Sequence, residues 1–264
     1  MKNILCIGGS DSSGFAGIQA DQRVTHIHGL HTLFAVTAVT SQSVDEVEMI
    51  SPMSSASIQS QLKSNVENFD VSCVKSGMIP SATAVNAIAS VLNTSERAFA
   101  YVLDPVLRTS SGANLIDING KEALVDQLFP IATVITPNVI EAEVLTGHKV
   151  ENVEQQHQAA RSLLQTGCRA VLIKGGHLTE SLGTDLLLLQ EQPDTAIIIE
   201  GTAVQDRSVR GTGCAYATAI ACGLAQGNSL VDSVQRAKQF IQRAIEQALL
   251  VPGNGWLLRT LDGG

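Results

Sequence analysis

Short apolar runs alternate along the whole chain with longer segments in which apolar residues recur every three or four positions. That alternation predicts strand and helix units in turn, the pattern of a mostly parallel sheet covered by helices on both faces. Strands are expected at Asn3 to Ile7, stopping at Gly8 and Gly9, and at Thr32 to Val39, Ser72 to Lys75, Phe99 to Leu103, Thr133 to Thr136 and Ala170 to Lys174. Asp185 to Leu189 and Thr195 to Ile199, separated by Gln190 to Asp194, read as an antiparallel pair at the sheet edge.

Helices are expected between them: Ala16 to His28 ended by Gly29, Ser54 to Asn68, Ser81 to Leu92 with Ser81 as cap, and Gly120 to Leu128. Asn152-Val-Glu-Gln155 resembles a capping box, and the helix it opens puts Ala159, Ala160, Leu163 and Leu164 on one face until Gly167. Gly211-Thr-Gly-Cys214 opens a helix whose Ala217, Ile220, Ala221 and Leu224 share a face, and Ser229 begins a last helix through Gln247. No internal repeat or linker interrupts the series, so residues 1–264 are read as one domain.

Composition narrows the class. With 44% hydrophobic and 16% charged residues over 264 positions, the chain can bury a large core, which excludes disorder. Aromatics are only 3% against 22 glycines, so Ala, Val, Ile and Leu must build that core. Lys and Arg number 17 against 25 Asp and Glu, and a net charge of −8 argues against nucleic acid as a partner. The five cysteines are odd in number and include no C-x-x-C pair, as expected of thiols in a reducing cytosol. The apolar run Ile4 to Ile7 behind Lys2 is too short for a signal-peptide core or a membrane span, so a soluble cytoplasmic protein with no membrane partner is expected.

Four segments carry candidate chemistry. Gly8-Gly-Ser-Asp-Ser-Ser-Gly-Phe-Ala-Gly-Ile-Gln-Ala-Asp21 lies between the first strand and first helix, where glycines let backbone approach a ligand and a helix N-terminus offers free N–H groups. Its spacing fits neither G-x-G-x-x-G nor a P-loop, and a small-residue turn for close packing reads equally well. Arg210-Gly-Thr-Gly-Cys214 presents successive amides at the positive end of a helix dipole, suited to a transferring phosphoryl group. Cys214 there is expected to have a lowered pKa and could accept a proton; the alternative is a buried structural cysteine.

In Thr136-Pro-Asn138-Val-Ile-Glu141, Asn138 and Glu141 read either as a capping box or as groups that organise Mg²⁺ through its waters. Lys174, ending a strand before two glycines in Val171-Leu-Ile-Lys174-Gly-Gly-His177, either meets a triphosphate or emerges into solvent. Asp104, before Pro105, is a metal or phosphate-site group or a turn former. His26, His28 and His31 straddle a helix end, where the dipole favours them, and are not read as a metal site.

Taken in order, these segments resemble the ribokinase-like superfamily, and within it the hydroxymethylpyrimidine and phosphomethylpyrimidine kinases of thiamine biosynthesis. The likeness spans nearly the whole chain: Gly9-Ser-Asp-Ser-Ser-Gly, Gly17-Ile-Gln-Ala-Asp21, Ser41-Gln42, Lys75-Ser-Gly-Met78, Leu103-Asp-Pro-Val106, Ser111-Gly112, Thr136-Pro-Asn138, Glu141, Lys174-Gly-Gly-His177 and Gly211-Thr-Gly-Cys214. The closing cysteine separates this group from most ribokinase-like sugar kinases and many pyridoxal kinases, which resemble Gly-x-Gly-Asp there.

The resemblance implies a three-layer α/β/α sandwich with a mostly parallel central sheet and a small antiparallel edge, a site along the carboxyl ends of the strands, and ATP with Mg²⁺ as cofactors. It places Gly9, Asp21, Gln42 and Met78 on the pyrimidine alcohol, with Asp21 pairing to the exocyclic amine and a ring nitrogen. Cys214 faces the hydroxymethyl group beside the Gly211, Thr212 and Gly213 amides. Asn138 and Glu141 fall on the Mg·ATP side, Asp104 and Glu141 at the metal, and Lys174 on the phosphates. A homodimer and a minimal lid are expected, the site staying partly open unless the Gly175 to Thr184 region closes over nucleotide.

Five departures stand out. Phe15 stands where the family usually has a glycine and is expected to narrow or reshape the substrate loop; Gln22-Arg23-Val24, Arg108-Thr109, Arg210 and Gly253-Asn-Gly-Trp256 also differ. Arg108 and Arg210 could meet an extra phosphate. A pyridoxal or pyridoxine kinase is the nearest alternative, and a non-catalytic pyrimidine sensor the alternative of another class.

Overall fold

The computed structural model describes residues 1–43, 46–95, 97–109, 112–176, 183–201, 209–251 and 255–258. Its centre is a nine-stranded sheet. The strands are β1 (Asn3–Asp11), β2 (His31–Gln42), β3 (Val47–Pro52), β4 (Val71–Ser76), β5 (Ala100–Leu103), β6 (Val134–Ile135), β7 (Ala170–Ile173), β8 (Asp185–Leu189) and β9 (Gln192–Ile199). They lie in the order β3-β2-β1-β4-β5-β6-β7-β8-β9. The run from β2 to β7 is parallel, and β3 and β8 join its two ends antiparallel.

Strand alternation builds two cores, one on each face. Leu5 and Ile7 of β1 point to the face covered by α2 (Ser55–Asn68), α3 (Ala82–Leu92), α4 (Ile118–Ala123), α5 (Val139–Thr146) and α6 (Val153–Leu164). Ile4 and Cys6 point to the other, covered by α1 (Gly17–Ile27), α7 (Thr212–Ala225) and α8 (Leu230–Glu246). Each such fully buried Ile or Leu contributes about 1.5–3 kcal/mol over leaving it in water. This is the expected α/β/α sandwich. A small three-stranded sheet of β10 (Val209–Arg210), β11 (Leu249–Val251) and β12 (Gly255–Leu257) sits beside it.

Helix α7 is buried nearly all round, and apart from Tyr216, Ile220 and Leu224 its residues are the small Ala, Gly, Thr and Cys. Gly223 shows why: a Cβ there would lie 2.7 Å from the Ser233 hydroxyl of α8. Caps follow local rules, with Ser54, Ser81, Asn138, Asn152 and Ser229 each accepting from the backbone N–H three residues on.

Several boundaries differ from the sequence reading. β1 does not stop at Gly8 and Gly9 but runs to Asp11, through a register shift between the two glycines; parallel pairing with it carries β2 to Thr40, and antiparallel pairing with β3 carries β2 on to Gln42. The unexpected strand β3 is mostly exposed, so it carries no apolar run to reveal it. The helix expected at 120–128 is α4 followed by a wider turn over Leu124–Leu128. Asn152 caps α6, but Gln155 turns its side chain to the Glu151 amide, leaving half a capping box. Strand β9 begins at Gln192, so the spacer before it is a tight turn. Among the described residues no helix is long and apolar enough to cross a membrane.

Candidate active site

The carboxyl ends of the parallel strands open into one cavity of about 710 Å³. Its first wall is the loop after β1. Asp11 organises this loop: one carboxylate oxygen accepts the Ser13 amide at 2.8 Å and hydroxyl at 2.7 Å, the other the Ala16 amide at 2.8 Å. Gly17 then starts α1 at φ +61°, where a Cβ would run into the Gly9 carbonyl, so no side chain fits there. Met78 closes the same wall: its sulfur would lie 2.8 Å from a Cβ on Gly9. Gln42, at the end of β2, lines the cavity and is fastened through its backbone to the Ser12 hydroxyl.

Asp21 is not free to pair with a ligand edge as the sequence reading expected. It is 1% exposed, and its two oxygens take the Lys75 ammonium at 2.8 and 2.9 Å and the Thr218 hydroxyl at 2.7 Å. The two charges compensate one another out of water, and deleting one partner of such a pair costs about 3–5 kcal/mol. Burial works against the Lys75 charge, but Asp21 overrides it and the ammonium is held above its usual range. Neither Lys75 nor Thr218 was singled out for chemistry in the sequence; a lysine inside an apolar strand was the available signal.

The second wall is the start of α7. Gly211 caps the helix at φ +77°, and a Cβ there would run into the Phe15 carbonyl, which excludes any side chain. Gly213 leaves room for charge: a Cβ there would lie 3.5 Å from the Lys174 ammonium and 3.7 Å from Asp104 Oδ2. Thr212 and Cys214 line the cavity beside them.

The expectation of a lowered Cys214 pKa is corrected. Burial pushes the thiol up to about 11; Lys75 and the Gly17 amide pull it back only in part. Desolvation outweighs the helix terminus because the dipole's field is weaker than the loss of water around a thiolate.

The third wall joins β5, β6 and β7. Lys174 Nζ donates to Asp104 Oδ1 at 2.7 Å, and Thr136 donates to the same oxygen at 3.0 Å. Lys174 is therefore not simply solvated: burial opposes its charge, yet Asp104 and Glu141 hold it above the usual range. Asn138 and Glu141 form a complete capping box, with the Glu141 amide on Asn138 Oδ1 at 2.9 Å and the Asn138 amide on Glu141 Oε2 at 2.8 Å. The cap coexists with cavity lining. Burial raises the Glu141 carboxyl to about 7, with Lys174 pulling down and Asp104 adding to the rise.

All the candidate residues thus meet in one cavity: Gly9, Asp21, Gln42 and Met78 with Cys214 in one part, and Lys174, Asp104, Asn138 and Glu141 around Gly211, Thr212 and Gly213 in another. Arg108 and Arg210 also line it; Arg108 bonds the Asn114 side chain and Arg210 the Ser43 carbonyl. Phe15, by contrast, does not narrow the site: it is 5% exposed, and only its carbonyl reaches towards Gly211 while the lining passes from Ala16 to Gly17. A further buried pair absent from the sequence reading, Lys238 with Asp185 at 2.7 Å, borders the cavity near Tyr216. Ser111, His177 and Gly253, and most of the segment named as a lid, lie outside the described residues.

Among the described residues no three His, Cys, Asp or Glu side chains stand ready to hold a metal ion, and His28 instead bonds the Val24 carbonyl. The carboxylates of Asp104 and Glu141 suit a dication that takes most of its ligands from phosphates and water, as Mg²⁺ does.

The family model described as phosphomethylpyrimidine kinase matches residues 11–256. The chain belongs to that family. Among curated relatives, the hydroxymethylpyrimidine/phosphomethylpyrimidine kinase of Rhizobium meliloti is 36% identical over 92% of this chain and 90% of its own. The thiamine biosynthesis bifunctional protein ThiED of Geobacter sulfurreducens is 39% identical over 93% of this chain, and the chain spans about half (49%) of that longer protein. Among solved structures, the ADP complex of Bacillus subtilis pyridoxal kinase superposes with a TM-score of 0.89 at 28% identity, covering 98% of this chain and 97% of that one. The ribokinase-like sandwich expected from the sequence is therefore that of the family, and so is its kinase character.

Proposed function

We propose that this family member transfers the terminal phosphoryl group of ATP to the hydroxymethyl group of hydroxymethylpyrimidine, and to the resulting monophosphate, in thiamine biosynthesis. The observation that carries this reading is the single cavity in which a thiol, a run of main-chain amides and the Lys174–Asp104 pair stand together. The pyrimidine lies between Gly9, Met78 and Gln42, its alcohol towards Cys214. The Gly211, Thr212 and Gly213 amides and Lys174 receive the charge that spreads over the transferring group, where positioning and fixed donors carry most of the catalysis.

Mg²⁺, held through Asp104 and Glu141 and by the phosphates, supplies neutralisation of the triphosphate charge when bound. Asn138 keeps Glu141 in place through the cap. ADP bound to the B. subtilis relative supports the nucleotide assignment. All five cysteines are free thiols, which accords with the reducing cytoplasm proposed for the protein; a homodimer is proposed with it.

A second acceptor class, pyridoxal or pyridoxine, is favoured by the likeness to the B. subtilis enzyme. Steady-state ADP release with Mg·ATP and hydroxymethylpyrimidine, its monophosphate or pyridoxal as separate acceptors decides between them. Turnover is expected with the pyrimidines. Release with pyridoxal alone transfers the assignment to the second class, and pyrimidine binding without any ADP release makes the protein a sensor.

A further inference from the structure

Each lysine on the cavity wall is matched by a carboxylate: Lys75 by Asp21 at 2.8 Å, Lys174 by Asp104 at 2.7 Å and Lys238 by Asp185 at 2.7 Å. The wall's two other carboxylates are also engaged, Asp11 with its own loop and Glu141 with the cap of α5. Among the described residues, the lining cations that pair with no carboxylate are the two arginines, Arg108 on the Asn114 side chain and Arg210 on the Ser43 carbonyl. The unpaired positive charge of the cavity is therefore carried by the residue whose planar fork of five N–H donors matches a phosphate.

The two arginines differ in place. Arg108 is exposed, on the segment that leaves β5. Arg210 is half-buried, and backbone pairing with Leu257 of β12 holds it directly before the Gly211 to Cys214 run. Its Nη1 donates at 3.2 Å to the carbonyl of Ser43, the residue after Gln42 at the end of β2. Arg210 thus spans from the amides at the start of α7 to the strand end that carries Gln42, and all of these line the cavity. One of its five donors is used in that bond, and no other is seen among the described residues. The tether fixes the guanidinium without neutralising it, because a carbonyl carries no net charge.

We infer that Arg210 holds the phosphate of the monophosphate acceptor and so determines how well the second transfer competes with the first. This rests on the phosphotransfer reading. The first transfer brings a neutral alcohol to the triphosphate. The second brings a phosphate of charge about −1.5 to −2 at pH 7, so two anionic groups must meet. A lysine already matched by an aspartate offers that phosphate little net attraction, whereas a tethered and unpaired guanidinium attracts it in full. In the second transfer at pH 8, an oxygen of the acceptor's dianionic phosphate forms the bond to the terminal phosphorus, and the bridging P–O bond breaks with its electron pair leaving on ADP. That oxygen carries no proton, so none has to be removed.

The test is steady-state ADP release at pH 8 with saturating Mg·ATP and either hydroxymethylpyrimidine or its monophosphate, in the wild type, Arg210→Met and Arg210→Gln. The quantity read is kcat/KM for the monophosphate divided by kcat/KM for the alcohol. Loss of a charge-assisted contact is expected to lower this ratio at least about tenfold in Arg210→Met, with a fall of the same sign in Arg210→Gln. Damage to the neighbouring amides slows both transfers together and leaves the ratio where it was. An unmoved ratio in Arg210→Met, or in Arg210→Gln should the first not fold, overturns the inference, as does a wild type that phosphorylates the alcohol but not the monophosphate. Calorimetric binding of the two pyrimidines without nucleotide makes the same comparison from dissociation constants, and Arg210→Met is expected to weaken the monophosphate at least about tenfold relative to the alcohol. Should no pyrimidine be phosphorylated, the functional reading fails, and the binding ratio alone decides whether Arg210 holds a phosphate: a ratio equal to that of the wild type refutes it.

Discussion

Lys174 and Asp104 form an ion pair at 2.7 Å at the mouth of the amide run that opens α7, with Thr136 on the same carboxylate oxygen at 3.0 Å. The lysine is thus held in place by the protein itself, and on the proposed reading a phosphate entering beside Gly213 would compete with Asp104 for it. Lys174→Met is expected to lower kcat by roughly 10²-fold or more, in line with loss of a fixed donor to developing charge, and to raise KM for ATP. Urea unfolding of the same variant separates this from the cost of leaving Asp104 unpaired. Turnover close to wild type would remove Lys174 from the phosphate site.

Cys214→Ala removes the sulfur proposed to face the acceptor alcohol and leaves the Gly211, Thr212 and Gly213 amides in place. A fall in kcat of roughly 10²-fold, the usual contribution of a positioned base, is expected with little change in KM for ATP. Steady-state kinetics check it, and an unchanged kcat refutes the role.

Gly211→Ala places a Cβ at φ +77° and against the Phe15 carbonyl. The backbone must move, so a stability loss of about 1–3 kcal/mol by chemical denaturation is expected, together with a lower kcat as the amides shift. Wild-type stability and rate would show that the left-handed cap is dispensable.

Glu141 makes the ligand-free protein sensitive to pH. Burial raises its carboxyl from 4.5 to about 7, so the folded state binds a proton that the unfolded chain has already lost between those values. The stability this group contributes is full below about 4.5 and is lost as pH rises through about 7. Glu141→Gln keeps a capping side chain but cannot ionise. Thermal melts from pH 5 to pH 8 should therefore show the wild type losing more stability than the variant. Parallel curves would mean that Glu141 titrates normally.

Sequence alone determined the features that depend on a few neighbouring residues. The alternation of strand and helix, the caps at Ser81, Asn138 and Ser229, and the glycine turn before Cys214 are local, because a cap needs only a side chain and an amide three positions away. The ordered motifs identified the kinase family, and the candidate site residues drawn from them do converge on one cavity. Strand ends were less legible: Gly8 and Gly9 look like a stop until the parallel neighbour β2 carries β1 past them, and the exposed β3 has only its partner to define it.

Tertiary structure decided which charges meet and how much water they keep. Asp21 and Lys75 are 54 positions apart, Lys174 and Asp104 70, and Thr218 and Asp21 197, separations over which no periodicity speaks. Only the packing of α1, β4 and α7 turns Asp21 from an apparent ligand for the pyrimidine into the counter-ion of a lysine. The same packing raises the Cys214 thiol where the helix terminus alone would have lowered it, since desolvation depends on everything that surrounds a group and not on the residues beside it in the chain.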